Sequence, residues 1–305
     1  MKKKIKDNEH YFRVSQKNPE RMLDGFYVFD EKHPQADQYI ARTKEIKNIL
    51  ITIRTLRDKN ERPQIIRKYF SSLANILEKF SNCSEFACFI NACDSFVDSA
   101  RKDAVLLEKI AERYFQKRIL NEYAPEEWIQ AILDSNSARK KGKCGEKKLL
   151  RILGENGFSE VKTWNDFFAE EKCAAVFSRA FSIKNVRRKL GIRLSTKKQN
   201  KNLDILIKAG ATIFLCEAKH LNTAGGAQDK QIAELIEIVS LRESSKNVSY
   251  VAFIDGAYAN VLLRDARGDG KLKTQQEEIK KYLLENPRNF WVNTAGFHAL
   301  IADSA

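Results

Sequence analysis

Residues 203–219 run LDILIKAGATIFLCEAK, two apolar runs around a glycine. Leu203–Ile207 and Thr212–Lys219 have strand composition, and Lys208-Ala209-Gly210-Ala211 between them has turn composition, so the stretch reads as a β-hairpin. Both runs are apolar on both faces, as buried strands are, yet they carry Asp204, Glu217 and Lys219. A buried charge without a partner is costly, so these three side chains need a reason to be there. Register governs whether they meet. With Ala209-Gly210 as a two-residue loop, Asp204 faces Leu215 and lies diagonal to Glu217 on one sheet face. With Gly210-Ala211 as the loop, Asp204 faces Glu217 directly; a three-residue loop would put the two carboxylates on opposite faces. Lys219, two residues after Glu217, shares its face in every case.

Working outward, Lys184–Lys201 holds eight basic residues and no acidic one, and Arg139, Lys140, Lys141 and Lys143 form a smaller basic cluster. A helix is predicted from Gly145 to Gly154, with Glu146 in its first turn. Downstream, the glycine-containing loop Asn222–Gln228 leads to a helix over Asp229–Leu241, a strand over Val248–Ile254 and a helix over Gln275–Leu284. Phe290–Val292 and Phe297–Ile301 read as further strands. Strands alternating with helices predict an α/β (α+β) domain over residues 136–305. Residues 1–135 differ. The first 38 read as a polar, irregular lead-in, and Asp37–Ser135 as a run of helices. Ile46, Leu50 and Ile53 mark one helix and Pro63 opens the next; Phe86–Val97 and Val105–Phe115 follow, and Pro125 precedes a fifth. Nothing in this mostly helical N-terminal region reads as catalytic.

Composition narrows the function. The chain has 305 residues, 43% of them hydrophobic, with 54 Lys+Arg against 40 Asp+Glu, formally +14. That excess favours a polyanionic partner, nucleic acid ahead of an acidic membrane surface. No apolar run is long enough to span a membrane, and the start Met1-Lys2-Lys3-Lys4 leads into polar sequence, so a cytoplasmic location is expected. The six cysteines form no Cys-x-x-Cys pair and read as reduced, packed thiols. His220 points to the face opposite Lys219 and reads as a packing or surface histidine. The Gly225-Gly226 loop lacks the spacing of a nucleotide cradle.

Two carboxylates with a free coordination edge suit a hard cation such as Mg²⁺, and a neighbouring ammonium can orient water or offset charge on a phosphorane-like transition state. On a basic surface this describes phosphodiester hydrolysis. Asp204, twelve intervening residues, then Glu217-Ala218-Lys219 resembles the signature of the PD-(D/E)XK nucleases, with Leu203 standing where the motif has proline. The resemblance covers roughly residues 142–254. It implies a restriction-endonuclease-like core, a mixed central sheet flanked by helices. A strand is then needed between the Glu146 helix and Asp204; Phe158–Trp164 is the candidate, and Ser182–Leu194 reads as an insertion.

Carried over residue by residue, the resemblance implies that Asp204 and Glu217 ligate Mg²⁺ with the Ala218 carbonyl, and that Mn²⁺ substitutes. Lys219 would position or activate water, and Glu146 would add a further carboxylate. Asn222, Gly225, Gly226 and Gln228 would approach the DNA, with Gln231 and Glu234 as buttresses. Lys140, Lys141, Lys143, Arg187, Arg188, Lys189, Arg193, Lys197 and Lys198 would contact phosphate. The expected activity is that of a type II restriction endonuclease: sequence-specific cleavage of double-stranded DNA by a homodimer, leaving 5′-phosphate and 3′-hydroxyl ends. A DNA methyltransferase is the implied counterpart. The rivals are a structure-specific or non-specific repair or recombination nuclease and a non-catalytic DNA-binding protein of the same fold.

Overall fold

The Asp7 carboxylate accepts a hydrogen bond from the His10 N–H and so caps helix α1 (Asn8–Lys17). The lead-in is therefore not wholly irregular. Tyr11 is fully buried, with its ring edge-on to Phe290 at 5.7 Å, and the Asn8 amide donates to the carbonyls of Leu283 and Asn289. Tyr11, Phe12 and Val14 are the apolar side chains of this helix, too few to read as a helical face. The fold is that of a computed structural model, which describes residues 5–136, 138–192, 203–265 and 270–304, with backbone alone for 138–143.

Residues 29–138 form one unit, and residues 1–28 with 139–305 form the other. This corrects the expected division at 135/136 in one respect: the first 28 residues belong with the C-terminal unit, because α1 packs on its core. The helical unit contains α2 (Ala36–Asp58), α3 (Pro63–Ile76), α4 (Glu85–Ala92), α5 (Val97–Lys102), α6 (Ala104–Lys117) and α7 (Glu126–Ser135). Pro63 opens α3, where its missing N–H costs nothing, and the side chains of Ser84 and Asp103 cap α4 and α6. Ile46, Leu50, Ile53, Leu73, Phe86, Ile90 and Tyr114 form the core. Its cysteines do not converge: Cys83 is buried, Cys88 exposed and Cys93 intermediate, and all are free thiols.

The second unit continues from α1 with α8 (Ala138–Glu155), β1 (Ser159–Glu160), α9 (Trp164–Ala169), β2 (Lys172–Val176), α10 (Ile183–Leu190), β3 (Ile205–Ala209) and β4 (Thr212–His220). There follow α11 (Gly226–Ser240), β5 (Val248–Asp255), α12 (Ala259–Leu262), α13 (Lys271–Glu285), β6 (Phe290–Val292) and α14 (Thr294–Ser304). Among the described residues, six strands make one mixed sheet in chain order. β1 runs parallel to β2, β2–β3–β4 are antiparallel, and β4, β5 and β6 are parallel. Leu149, Leu153, Tyr11 and Phe297 cover one face over Ile205, Cys216 and Phe253. On the other face Ile232, Leu235 and Ile279 pack with Ala252 and Ile254, and Phe167 and Val186 pack with Leu206 and Leu215. The expected mixed sheet flanked by helices is present.

Two expected strands need correction. Phe158–Trp164 supplies only the two-residue β1; the strand beside β3 is β2, whose Cys173-Ala174-Ala175 core has too little β propensity to stand out. Phe297–Ile301 is not a strand but part of α14. The Asn293 side chain accepts from the Gly296 N–H, and Phe297, Leu300 and Ile301 follow at helical spacing on the buried face. Gly296 also sets the distance between α14 and α1. A Cβ there would collide with the Ser15 hydroxyl and stand 2.8 Å from the Tyr11 carbonyl oxygen. Gly296→Ala is expected to cost about 2 kcal/mol in urea unfolding; an unchanged midpoint would mean that this contact yields freely.

Candidate active site

The β3–β4 register resolves the hairpin. Ala209 pairs with Thr212 and Ile205 with Cys216, so Gly210-Ala211 is a two-residue loop, and Gly210 takes the positive φ of 59° that such a turn requires. Asp204, one residue before β3, continues this register: its N–H donates to the Cys216 carbonyl at 2.9 Å. Its Oδ2 accepts from the Ala218 N–H at 2.7 Å. The carboxylate is thus fixed on the backbone between Glu217 and Lys219. Lys219 Nζ lies 2.5 Å from Glu217 Oε1 and 3.5 Å from Glu234 Oε2 on α11. Of the two anticipated buttresses, Glu234 therefore reaches the lysine.

Burial and crowding set the charges. Burial, and then the charge of Glu217, push the Asp204 carboxyl up to about 7, against the pull of the Ala218 N–H and Lys219; Glu146 adds to the rise. Glu217 is only 3% exposed. Burial alone would favour a neutral Lys219, but Glu217, with Asp204 and Glu234, outweighs it and holds the ammonium above its ordinary range. Two acids that resist sharing negative charge are a donor set for a divalent cation. No group of three or more His, Cys, Asp or Glu side chains with metal-holding geometry occurs among the described residues; Asp204 and Glu217 could hold a cation that takes one or two carboxylates and completes its shell with water.

Glu146 is brought to this end of the hairpin by α8. A Cβ at Gly145 would stand 3.8 Å from the Ala218 Cβ, so the helix runs close to β4 there. Gly225 caps α11 with φ 152°, and a Cβ on it would lie 2.9 Å from Gln228 Oε1, while a Cβ on Gly226 would meet nothing. Asn222 Oδ1 accepts from the Ala257 N–H at 3.1 Å, which ties its loop to the end of β5. On α10, Arg187 is partly exposed and Arg188 and Lys189 are exposed, with Ile183 and Val186 turned inward. Arg193, Lys197 and Lys198, and the side chains of Lys140, Lys141 and Lys143 in α8, lie outside the described residues.

Sequence reading missed a second polar cluster, on the other face of β4. Asp255, fully buried at the end of β5, accepts from Lys148 Nζ at 3.0 Å and from the Tyr27 hydroxyl at 2.7 Å. Its other oxygen lies 2.9 Å from His220 Nδ1. Lys148 also reaches Asp24 at 2.6 Å and Glu20 at 3.5 Å. Burial opposes its charge, yet Asp255, Glu20 and Asp24 together hold its pKa up. His220 does face away from Lys219, as expected, but it is part of this network, with its ring stacked on Tyr27 at 3.5 Å. The Ala257 N–H fixes the Asn222 amide so that Nδ2 points at His220 Nε2, 3.1 Å away. Nε2 is therefore the acceptor, and Nδ1 carries the proton toward Asp255. The signals were present: Lys148 interrupts an apolar helix face, and Asp255 ends an otherwise apolar strand.

Residues 48–261 match the family described as DpnII restriction endonuclease. Comparison with curated proteins and with solved structures gives no match. The matched span takes in most of the helical unit, Glu146 and the whole Asp204–Lys219 hairpin, and it is well over half of the chain. The chain belongs to the DpnII restriction endonuclease family, and so is a type II site-specific deoxyribonuclease.

Proposed function

We propose that this restriction endonuclease cuts double-stranded DNA at the β3–β4 hairpin in a Mg²⁺-dependent reaction of the PD-(D/E)XK kind. The observation that carries the reading is the Asp204 carboxylate bonded to the Ala218 N–H between Glu217 and Lys219. Asp204, Glu217 and the Ala218 carbonyl would hold Mg²⁺, or Mn²⁺ in its place. A cation bound there supplies Lewis-acid polarisation of the phosphoryl oxygen and makes water a stronger acid. The protein groups do the positioning. Lys219, kept charged by Glu217 and Glu234, orients water in line with the scissile bond and offsets charge gathering on the phosphoryl oxygens. The water oxygen bonds to phosphorus, the bond to the 3′ oxygen breaks, and that oxygen takes a proton, leaving 5′-phosphate and 3′-hydroxyl ends.

Charge supports the same unit for DNA. Residues 29–138 contain 17 Lys or Arg and 17 Asp or Glu, leaving 37 against 23 in the remainder, so the whole excess of +14 lies in the unit that bears the hairpin. Lys184, Arg187, Arg188 and Lys189 on α10 give that unit a basic helix for phosphate. The neutral helical unit fits recognition or self-association better than backbone binding. Two copies would cut both strands of a symmetric site, and a methyltransferase would protect the host's own copies of it. Unmethylated phage DNA is expected to give discrete fragments with Mg²⁺ and none with EDTA. A smear would contradict sequence specificity, and cutting in EDTA would contradict the metal.

A further inference from the structure

We propose that Met22 and Leu23 form an apolar wedge that enters the base stack of the bound duplex beside the cut. This rests on the reading that DNA is cut at Asp204, Glu217 and Lys219. Met22 and Leu23 are 81% and 88% exposed, two large apolar side chains side by side in water. Leu23 has φ 58°, a left-handed conformation that a leucine adopts only when its surroundings impose it.

Those surroundings are firm. On one side, Glu20 accepts from the Thr294 N–H at 2.7 Å, and its own N–H donates to Asn260 Oδ1 at 2.7 Å. On the other, Asp24 accepts from the Phe26 N–H at 3.0 Å, and Tyr27 is held by Asp255. The buried Lys148 ammonium grips both ends, Glu20 and Asp24, and leaves Arg21-Met22-Leu23 outside the clasp. A loop fastened by buried charge, with a strained residue at its tip and two apolar side chains in water, is built for its bound state.

Its position identifies the occupant. Behind the tip lies a cleft of about 320 Å³, lined in part by Asp24, Tyr27, His220, Asn222 and Gly256. His220 ends β4 one residue after Lys219, with its side chain on the opposite face, so the loop stands at the same end of the sheet as Asp204, Glu217 and Lys219, across β4 from them. Arg21 is exposed beside the apolar pair, in the unit that carries the positive excess. A partner for this tip is anionic outside and apolar within, which describes duplex DNA: the arginine meets phosphate while methionine and leucine part a base step. Opening a step is easiest at flexible pyrimidine–purine steps, so the wedge also selects sequence without hydrogen bonds.

The test uses short duplexes of the cut sequence, read from the fragment ends, with 2-aminopurine at each adenine in turn and Ca²⁺ replacing Mg²⁺. The wild type is expected to raise emission several-fold at one step in or beside the site. A Met22→Ser, Leu23→Ser double variant is expected to shift the same DNA on a gel, leave emission at the level of free duplex, and cut about tenfold more slowly with Mg²⁺. Equal emission from both proteins, none from the wild type, or undiminished cutting by the variant overturns the wedge. Loss of a dimer by the variant in sedimentation would assign the pair to a second copy of the chain and overturn it too. Failure of the underlying reading shows separately, as a Lys219→Ala protein that still cuts.

Discussion

Asp204→Asn is expected to reduce DNA cleavage roughly 10³-fold while making the metal-free protein more stable at pH 8. Both effects come from one charge. In the folded chain burial and Glu217 raise the Asp204 carboxyl to about 7, whereas an unfolded aspartate titrates near 3.9. Between these values the folded chain holds a proton that the unfolded chain has lost. Stability from this group is therefore greatest below about pH 4, declines as pH rises, and reaches its lower plateau above about 7. With partial solvent screening this amounts to about 1–3 kcal/mol at pH 8. Asparagine keeps an oxygen for the Ala218 N–H and removes the repulsion, so thermal unfolding in EDTA at pH 8 is expected a few degrees higher. At pH 4 the gain should vanish. A variant no more stable than wild type at pH 8 would mean that the acids do not repel one another as described.

The largest loss of stability is expected from Lys148→Met. Lys148 is 3% exposed and is the common partner of Asp255, Glu20 and Asp24, so methionine fills its volume but leaves three carboxylates without their cation. Removing one member of a buried ionic group costs roughly 3–5 kcal/mol, because the charge left behind remains buried. The deficit should shrink as pH falls toward 5 and the stranded carboxylates protonate. Urea unfolding at pH 7.5 and pH 5 measures both. A midpoint unchanged at pH 7.5 would remove the clasp from the account, together with the rigidity it lends to residues 20–24.

What could be read from the sequence was what patterning and turn chemistry control. The hairpin was legible because apolar runs flank Gly210, and its register was left open among a loop at Ala209-Gly210, a loop at Gly210-Ala211, both of which put the acids on one face, and a three-residue loop that would part them. The pairing of Ala209 with Thr212 makes that choice. The helices of residues 36–135 were legible from apolar spacing and from Pro63. What escaped depended on partners distant in the chain. α1 is a helix because Tyr11 finds Phe290 and Asn8 finds the carbonyls of Leu283 and Asn289, none of which leaves a local trace. β2 is held by its neighbours rather than by its alanines. The Lys148–Asp255 network joins four separate segments, and His220 looked unremarkable without Tyr27 and Asn222 beside it. Of the proposed site, the cluster of Asp204, Glu217 and Lys219 was readable because charge stood out in apolar strands, while the exposed pair Met22-Leu23 lay in a stretch that read as polar lead-in.

The most direct measurement is digestion of unmethylated phage DNA by the wild type and by Lys219→Ala in parallel, with Mg²⁺, alongside a gel-shift assay of each. Phosphodiester hydrolysis at the β3–β4 hairpin predicts discrete fragments from the wild type and intact DNA from Lys219→Ala, although the variant shifts the same DNA. Identical fragment patterns from the two proteins would contradict it and move the chemistry elsewhere in the molecule.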